Sequence, residues 1–153
     1  MELKFTVSGR IAKPVHEVFE AVADPEKLSG YFTTGGAKGR LETGAVVTWD
    51  FHDFPGAFPV NVVEAVPDEK IVLTWGAVPE GEDGESYDTT VTMRFEPLDG
   101  NTRTLVTIAE EGWKETETGL ESSYGNCEGW TGMLCAMKIY VEHGINLREG
   151  FYR

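Results

Sequence analysis

The chain has 153 residues and a formal net charge of −13, from 26 acidic and 13 basic side chains. This length suits one hydrophobic core, so we expect residues 1–153 to form a single domain. Such an excess of negative charge repels phosphate groups, which argues against nucleic acid and anionic membranes as partners. No apolar run reaches transmembrane length and the N-terminus lacks a signal-peptide pattern, so we expect a cytoplasmic protein.

The first quarter of the chain predicts one strand followed by two short helices. Apolar and polar residues alternate over residues 3–11, which is typical of a half-buried strand. Apolar residues then recur at helical spacing over residues 15–22. Asp24, followed by proline, ends that helix and caps a second short helix over residues 26–31. The glycine-rich residues 33–38 are predicted to form a loop.

The middle of the chain predicts a series of strands joined by short turns. Each strand has apolar residues at every second position, and glycine, proline or aspartate lies between successive strands. The predicted strands cover residues 40–42, 46–52, 58–66, 71–75, 87–96 and 102–111.

Residues 118–145 predict one long C-terminal helix. Thr118 and Glu121 fit a capping box at its start, and Gly144 suits the left-handed cap at its end. Apolar side chains collect on one arc of this helix and charged side chains on another, so it is amphipathic. Hairpin-linked strands with helices at both ends predict an α+β fold, in which only this helix is long enough to cover the apolar face of the antiparallel sheet.

A stripe of small residues runs along the predicted helix, formed by Gly125, Gly129, Gly132 and Ala136. Each interior glycine costs about 1 kcal/mol relative to alanine, so three on one line require a reason. Either another backbone or a ligand approaches closely along the stripe, or the first turns are irregular and the regular helix begins near Gly129.

Four segments in order carry a resemblance to a known family. They are residues 11–19 (IAKPVHEVF), 23–28 (ADPEKL), 63–75 (VEAVPDEKIVLTW) and 129–140 (GWTGMLCAMKIY). Together they resemble the START-like (SRPBCC) superfamily, and most closely the family named for the activator of the ninety-kilodalton heat-shock chaperone ATPase. The resemblance implies a helix-grip fold, in which a curved antiparallel sheet of about six or seven strands wraps a long C-terminal helix and two short helices follow the first strand.

Three functions are compatible with this resemblance. The first is non-catalytic binding of a small, largely apolar molecule between sheet and helix, without a cofactor. The second is a chaperone-regulating interaction module that docks an acidic surface onto a basic partner. The third is an enzyme of the polyketide cyclase or dehydratase kind that uses carboxylates or tyrosines as acid–base groups. The glycine stripe and exposed strand edges also suggest a homodimer.

A sheet that grips a helix encloses either a ligand cavity or a fully packed core. The residues predicted to line the cavity are Trp49, Phe51, Trp75, Met93, Phe95, Ile108 and Glu110 from the sheet, Trp113 from a loop, and Cys127, Trp130, Leu134 and Met137 from the helix.

Glu110 has the same strand parity as Val106 and Ile108, which predicts that its side chain faces inward. A carboxylate in that position would orient a ligand or act as a general base. The alternative is that the strand has simply reached solvent at this point.

Other catalytic and metal chemistry has little support in the sequence. Asp50, His52 and Asp53 lie close together, but the first two face away from Trp49 and Phe51 by strand parity. The three histidines of the chain match no zinc or iron spacing, so no metal is expected. The two cysteines, Cys127 and Cys135, lie on the helix without a nearby histidine and are predicted to be buried apolar fillers.

Overall fold

The computed structural model describes residues 1–54 and 56–151. Seven strands form one sheet with the order β1-β7-β6-β5-β4-β3-β2, and every neighbouring pair is antiparallel. The strands are β1 (Lys4–Ile11), β2 (Gly36–Lys38), β3 (Val46–Asp50), β4 (Phe58–Val66), β5 (Lys70–Gly76), β6 (Asp88–Leu98) and β7 (Arg103–Glu111). With α3 against the sheet, this is the helix-grip architecture that the sequence predicted.

Two short helices follow β1 in the chain and precede β2. Helix α1 spans Val15–Ala23 and helix α2 spans Pro25–Leu28. Asp24 separates them, and its side chain accepts a hydrogen bond from the backbone N–H of Glu26 at 2.9 Å. The predicted pair of helices is present, although the second ends earlier than expected.

The long helix α3 spans Glu117–His143 without interruption. Two polar side chains join the helix to the end of β1. Lys138 Nζ donates to the carbonyl oxygen of Arg10 at 3.1 Å, and the Glu142 carboxylate accepts from the N–H of Ala12, the residue after β1, at 2.9 Å. Gly144 takes the left-handed conformation at the C-terminus, with φ of 70°, as the sequence predicted. A continuous helix excludes the alternative that regular structure begins only near Gly129.

Three local predictions were wrong. The helix N-cap is Thr116, whose hydroxyl accepts from the Gly119 N–H at 3.1 Å, and not Thr118 two residues later. Residues 40–42 do not form a strand. Strand β2 instead lies within the segment predicted as a loop, because Gly36–Lys38 pair with the end of β3. Short glycine-rich strands have no side-chain alternation to reveal them.

The core is solid where the C-terminal half of α3 crosses the sheet. Met133, Ala136 and Met137 of the helix are fully buried, as are Met93 and Ile108 on the facing strands. Close packing of this kind provides most of the stability of a helix laid on a sheet.

Candidate functional site

A cavity of about 590 Å³ lies at one end of the sheet–helix interface, where β5 ends and the N-terminal half of α3 passes over it. It opens to solvent on one side, and most of its wall is apolar. Its aromatic wall residues are Phe32, Phe51, Phe54, Phe58, Trp75, Trp113 and Trp130.

The aromatic rings of the cavity pack on one another in defined pairs. The ring centroids of Trp75 and Trp130 are 5.3 Å apart, and Phe32 stacks on Trp130 at 5.4 Å. Phe51, the residue after β3, stacks on Phe58 at the start of β4, with ring centroids 5.9 Å apart. Such contacts restrict ring motion, so the cavity has preformed flat walls.

Glu110 holds the inner end of this wall in place. The residue is fully buried, and four neutral side chains donate hydrogen bonds to its carboxylate. Oε2 accepts from Trp75 Nε1 at 2.9 Å and from the Thr89 hydroxyl at 2.6 Å. Oε1 accepts from Trp130 Nε1 at 2.8 Å, and Asn126 Nδ2 lies 3.1 to 3.2 Å from both oxygens. Buried polar groups require such partners, and here the carboxylate has them on every side.

Sheet register explains why these groups meet. Trp75 on β5 lies directly opposite Thr89 on β6. Glu110 on β7 lies opposite Val91, two residues further along the same face of β6. The three side chains therefore form a diagonal row across neighbouring strands. Helix α3 adds Asn126 and Trp130, which are one turn apart.

Two glycines contribute to the helical side of the cavity, beside Ser122, Asn126 and Trp130. Gly125 and Gly129 both line it. Apart from the neighbouring backbone of the helix itself, a Cβ atom built on either would meet no atom of residues 1–54 and 56–151 within 4 Å. Part of the small-residue stripe thus borders open space and is not covered by another backbone. Further along the stripe, Ala136 is fully buried in the core.

Arg148, from the segment after α3, forms part of the cavity wall. Its guanidinium lies 5.0 Å from the centre of the Phe32 ring, and its Nη1 donates to the Phe32 carbonyl oxygen at 3.2 Å. A second cleft of about 350 Å³, which includes His52, lies on the other side of Arg148. Asp53 lines the first cavity and not the second.

The structure divides the twelve predicted lining residues into three groups. Phe51, Trp75, Trp113 and Trp130 line the cavity. Glu110 lies behind the lining and hydrogen-bonds to it. The others lie outside the lining: Trp49, Met93, Phe95, Ile108, Leu134 and Met137 are buried in the core, and Cys127 is partly exposed. The prediction that both cysteines are buried was wrong, since Cys135 is exposed on the outer face of the helix.

Sequence reasoning missed several residues of the site. Asn126 lies one turn before Trp130, a spacing that could have revealed it. Phe32 and Arg148 gave no such signal, because they follow short irregular segments whose direction depends on the folded chain. Thr89 becomes recognisable only once the register of β5 and β6 is known.

Acid–base and metal chemistry have few candidates in the described part of the chain. Burial raises the pKa of Tyr31, which donates its hydroxyl to the Ala21 carbonyl at 3.0 Å and does not line the cavity. Within residues 1–54 and 56–151, no group of three histidine, cysteine, aspartate or glutamate side chains is placed to hold a metal ion. No helix within those same residues is long and apolar enough to span a bilayer.

Comparison with solved structures identifies several similar chains. Protein SSP2350 from Staphylococcus saprophyticus is 26% identical with a TM-score of 0.75, over 95% of this chain and 96% of that chain. The Aha1 dimer from Colwellia psychrerythraea is 19% identical with a TM-score of 0.72, over 92% and 97%. DynU16, from the dynemicin biosynthetic locus, is 22% identical with a TM-score of 0.75, over 94% of this chain and 49% of that chain.

No curated protein matches the sequence significantly. One family model does match, and it covers residues 12–142, from the end of β1 almost to the end of α3. It describes the Activator of Hsp90 ATPase homolog 1-like proteins. The matched region contains strands β2 to β7 of the sheet, most of α3, and Glu110 with its four hydrogen-bond donors. Because the model covers most of the chain, we conclude that the chain belongs to this family.

Proposed function

We propose that the protein binds a small, largely apolar molecule in the cavity between β5 and α3, and that it does so without catalysis. The observation that carries this proposal is the aromatic cavity of about 590 Å³, open to solvent and bordered by helix glycines. Ligand sites in proteins typically have volumes of roughly 300–1,000 Å³ with mostly apolar walls and few polar groups.

The absence of catalysis is proposed from the hydrogen bonding of Glu110. A general base needs an oxygen that reaches the substrate proton. Here both oxygens of Glu110 accept from protein donors, and the residue does not belong to the cavity lining. We therefore assign Glu110 a structural role.

Titration with naphthalene, observed by NMR of the indole N–H groups, tests the proposal. The chain has four tryptophans, of which Trp75, Trp113 and Trp130 line the cavity and Trp49 does not. We expect saturable shifts of the three cavity signals, larger than any shift of the Trp49 signal. Absence of saturable binding at millimolar protein, or equal shifts of all four signals, would contradict the proposal.

A pair of variants makes this test specific. Gly129→Leu places a side chain in the open space of the cavity and should abolish naphthalene binding. Glu128→Leu adds the same side chain at the preceding, exposed position outside the lining and should leave binding within twofold of wild type. Equal binding by the two variants would show that naphthalene binds elsewhere.

A second candidate function is regulation of a chaperone, favoured by the family that the sequence matches and by the surplus of 13 negative charges. We propose that an acidic surface docks onto a basic chaperone surface, either as a monomer or as a homodimer. The test is the ATPase rate of a ninety-kilodalton heat-shock chaperone with increasing amounts of this protein, with light scattering to give the oligomeric state. An unchanged rate at saturating concentration would eliminate this candidate.

A further inference from the structure

We infer that the ligand is an aromatic molecule that donates a hydrogen bond, such as a phenol or a protonated arylalkylamine, and that Asn126 Oδ1 accepts it. This inference rests on the proposed function, because it concerns the same cavity. Some polar groups of the cavity wall already make hydrogen bonds within the protein, and one acceptor does not.

The buried carboxylate of Glu110 engages donors of the cavity wall. The N–H groups of Trp75 and Trp130 have no acceptor capacity, and each donates its single hydrogen to Glu110. Asn126 also turns its amide nitrogen toward Glu110. These two indoles and this nitrogen are therefore poor anchors for a ligand that only accepts hydrogen bonds.

The same geometry leaves an acceptor available. Because a carboxylate accepts hydrogen bonds, the amide nitrogen of Asn126 must face Glu110, and its Oδ1 lies on the other branch of the group. Within the described residues, no hydrogen bond from the protein reaches this oxygen, and Asn126 lines the cavity. An amide oxygen that is fixed in orientation and free of a partner suits an O–H or N–H of a ligand.

Charges at the cavity also favour a donor over an anion. Asp53 and Asp88 are exposed lining residues that add two carboxylates near the opening. Arg148 supplies one positive charge, but its guanidinium already packs on Phe32 and donates to the Phe32 carbonyl. An ammonium group is thus attracted both by these carboxylates and by the faces of the aromatic rings.

Four probes with one common ring system separate the possibilities. They are 2-naphthol as a neutral donor, 2-methoxynaphthalene as a neutral acceptor, 2-naphthylmethylammonium as a cation and 2-naphthoate as an anion, and calorimetry gives each Kd at fixed pH and salt. We expect 2-naphthol to bind on the order of 3- to 10-fold more tightly than 2-methoxynaphthalene. We expect the cation to bind at least about 5-fold more tightly than the anion.

The outcomes distinguish this inference from the proposed function. If all four probes bind equally, the cavity is a ligand site but the inference is wrong. If the methoxy compound or the anion binds best, the inference is also overturned, because Trp113 N–H or Arg148 would then be the anchor. If none of the four binds, nor naphthalene, the proposed function itself fails.

Two substitutions assign the preference to residues. Asn126→Leu should reduce the ratio of the two neutral Kd values toward one. Asp88→Asn should weaken the preference for the cation, whereas Asp83→Asn removes an equal charge from an exposed loop outside the lining and should preserve it. The assignment would be contradicted if Asn126→Leu kept the preference for 2-naphthol and Asp88→Asn kept the preference for the cation. Loss of either preference in the Asp83→Asn variant would contradict it as well.

Discussion

Replacing Glu110 with glutamine is the most informative single perturbation of this structure. Glutamine has nearly the same shape, but it presents one oxygen and one NH₂ group where the carboxylate presents two acceptors. In the wild-type protein, Oε2 accepts from Trp75 Nε1 at 2.9 Å and from Thr89 Oγ1 at 2.6 Å. If the glutamine oxygen stays near Trp130, the NH₂ group takes the place of Oε2. The threonine hydroxyl can rotate and accept, whereas the indole N–H cannot.

The expected loss of stability follows from this mismatch. In either orientation of the glutamine one indole N–H loses its acceptor, either that of the half-buried Trp75 or that of the buried Trp130, at a cost of about 1–3 kcal/mol. The remaining hydrogen bonds lose the assistance of the charge, which adds about 1 kcal/mol. We therefore expect Glu110→Gln to lower the free energy of unfolding by about 2–4 kcal/mol and Tm by about 5–15 °C.

Urea denaturation of Glu110→Gln and of Glu111→Gln measures this effect. Glu111 is exposed at the adjacent position, so its substitution should change stability by less than about 0.5 kcal/mol. The NMR signal of the indole N–H of Trp75 or Trp130 should also shift upfield in the first variant. A loss below about 0.5 kcal/mol with both indole signals unchanged would refute the hydrogen-bond network described here.

Three further outcomes are expected. Gly129→Ala should raise stability by about 1 kcal/mol, because outside the helix backbone its Cβ meets no atom of the described residues within 4 Å. Gly119→Ala should instead cost about 1–3 kcal/mol, because its Cβ would collide with the Lys114 carbonyl oxygen. Equal Tm shifts for the two variants would contradict both expectations. The Arg40 guanidinium, which donates to both oxygens of Glu20 at 2.6 and 2.7 Å, lowers the pKa of that carboxyl from 4.5. Glu20→Gln should thus cost up to about 1 kcal/mol at pH 7, and urea titrations should show this difference disappearing as pH falls below 4.5 through the folded-state pKa; a difference independent of pH would contradict this ion pair.

Periodicity predicted the main elements because it depends only on which face of a strand or helix is buried. The long helix and the inward direction of Glu110 both followed from such patterns. Trp75 and Met93 both lie on the sheet face that is turned toward the helix, but Trp75 lines the cavity and Met93 is buried in the core. Periodicity did not predict this difference. Parity gives the face of the sheet, but it does not say where along the interface the packing stops and the cavity begins.

The partners of Glu110 were beyond the sequence for a related reason. They come from β5, β6 and α3, and their meeting depends on the register of three strands and on the rotation of the helix. The glycine stripe gave a partial signal, since the cost of Gly125 and Gly129 demanded an explanation. Only the structure distinguishes an open space from close contact with another backbone.

The two halves of α3 stabilise the fold by different physical means, and this difference explains how a cavity persists. In the C-terminal half, Met133 and Met137 fill the space above the sheet, so dispersion and burial hold the helix down. In the N-terminal half, Gly129 has no side chain to fill the space between helix and sheet. Dispersion and burial alone would draw the helix and the sheet together there. The hydrogen bond from Trp130 to Glu110 fixes a distance and a direction without filling volume. A directional network at the inner end of the cavity can therefore hold sheet and helix apart, where apolar contact would close them.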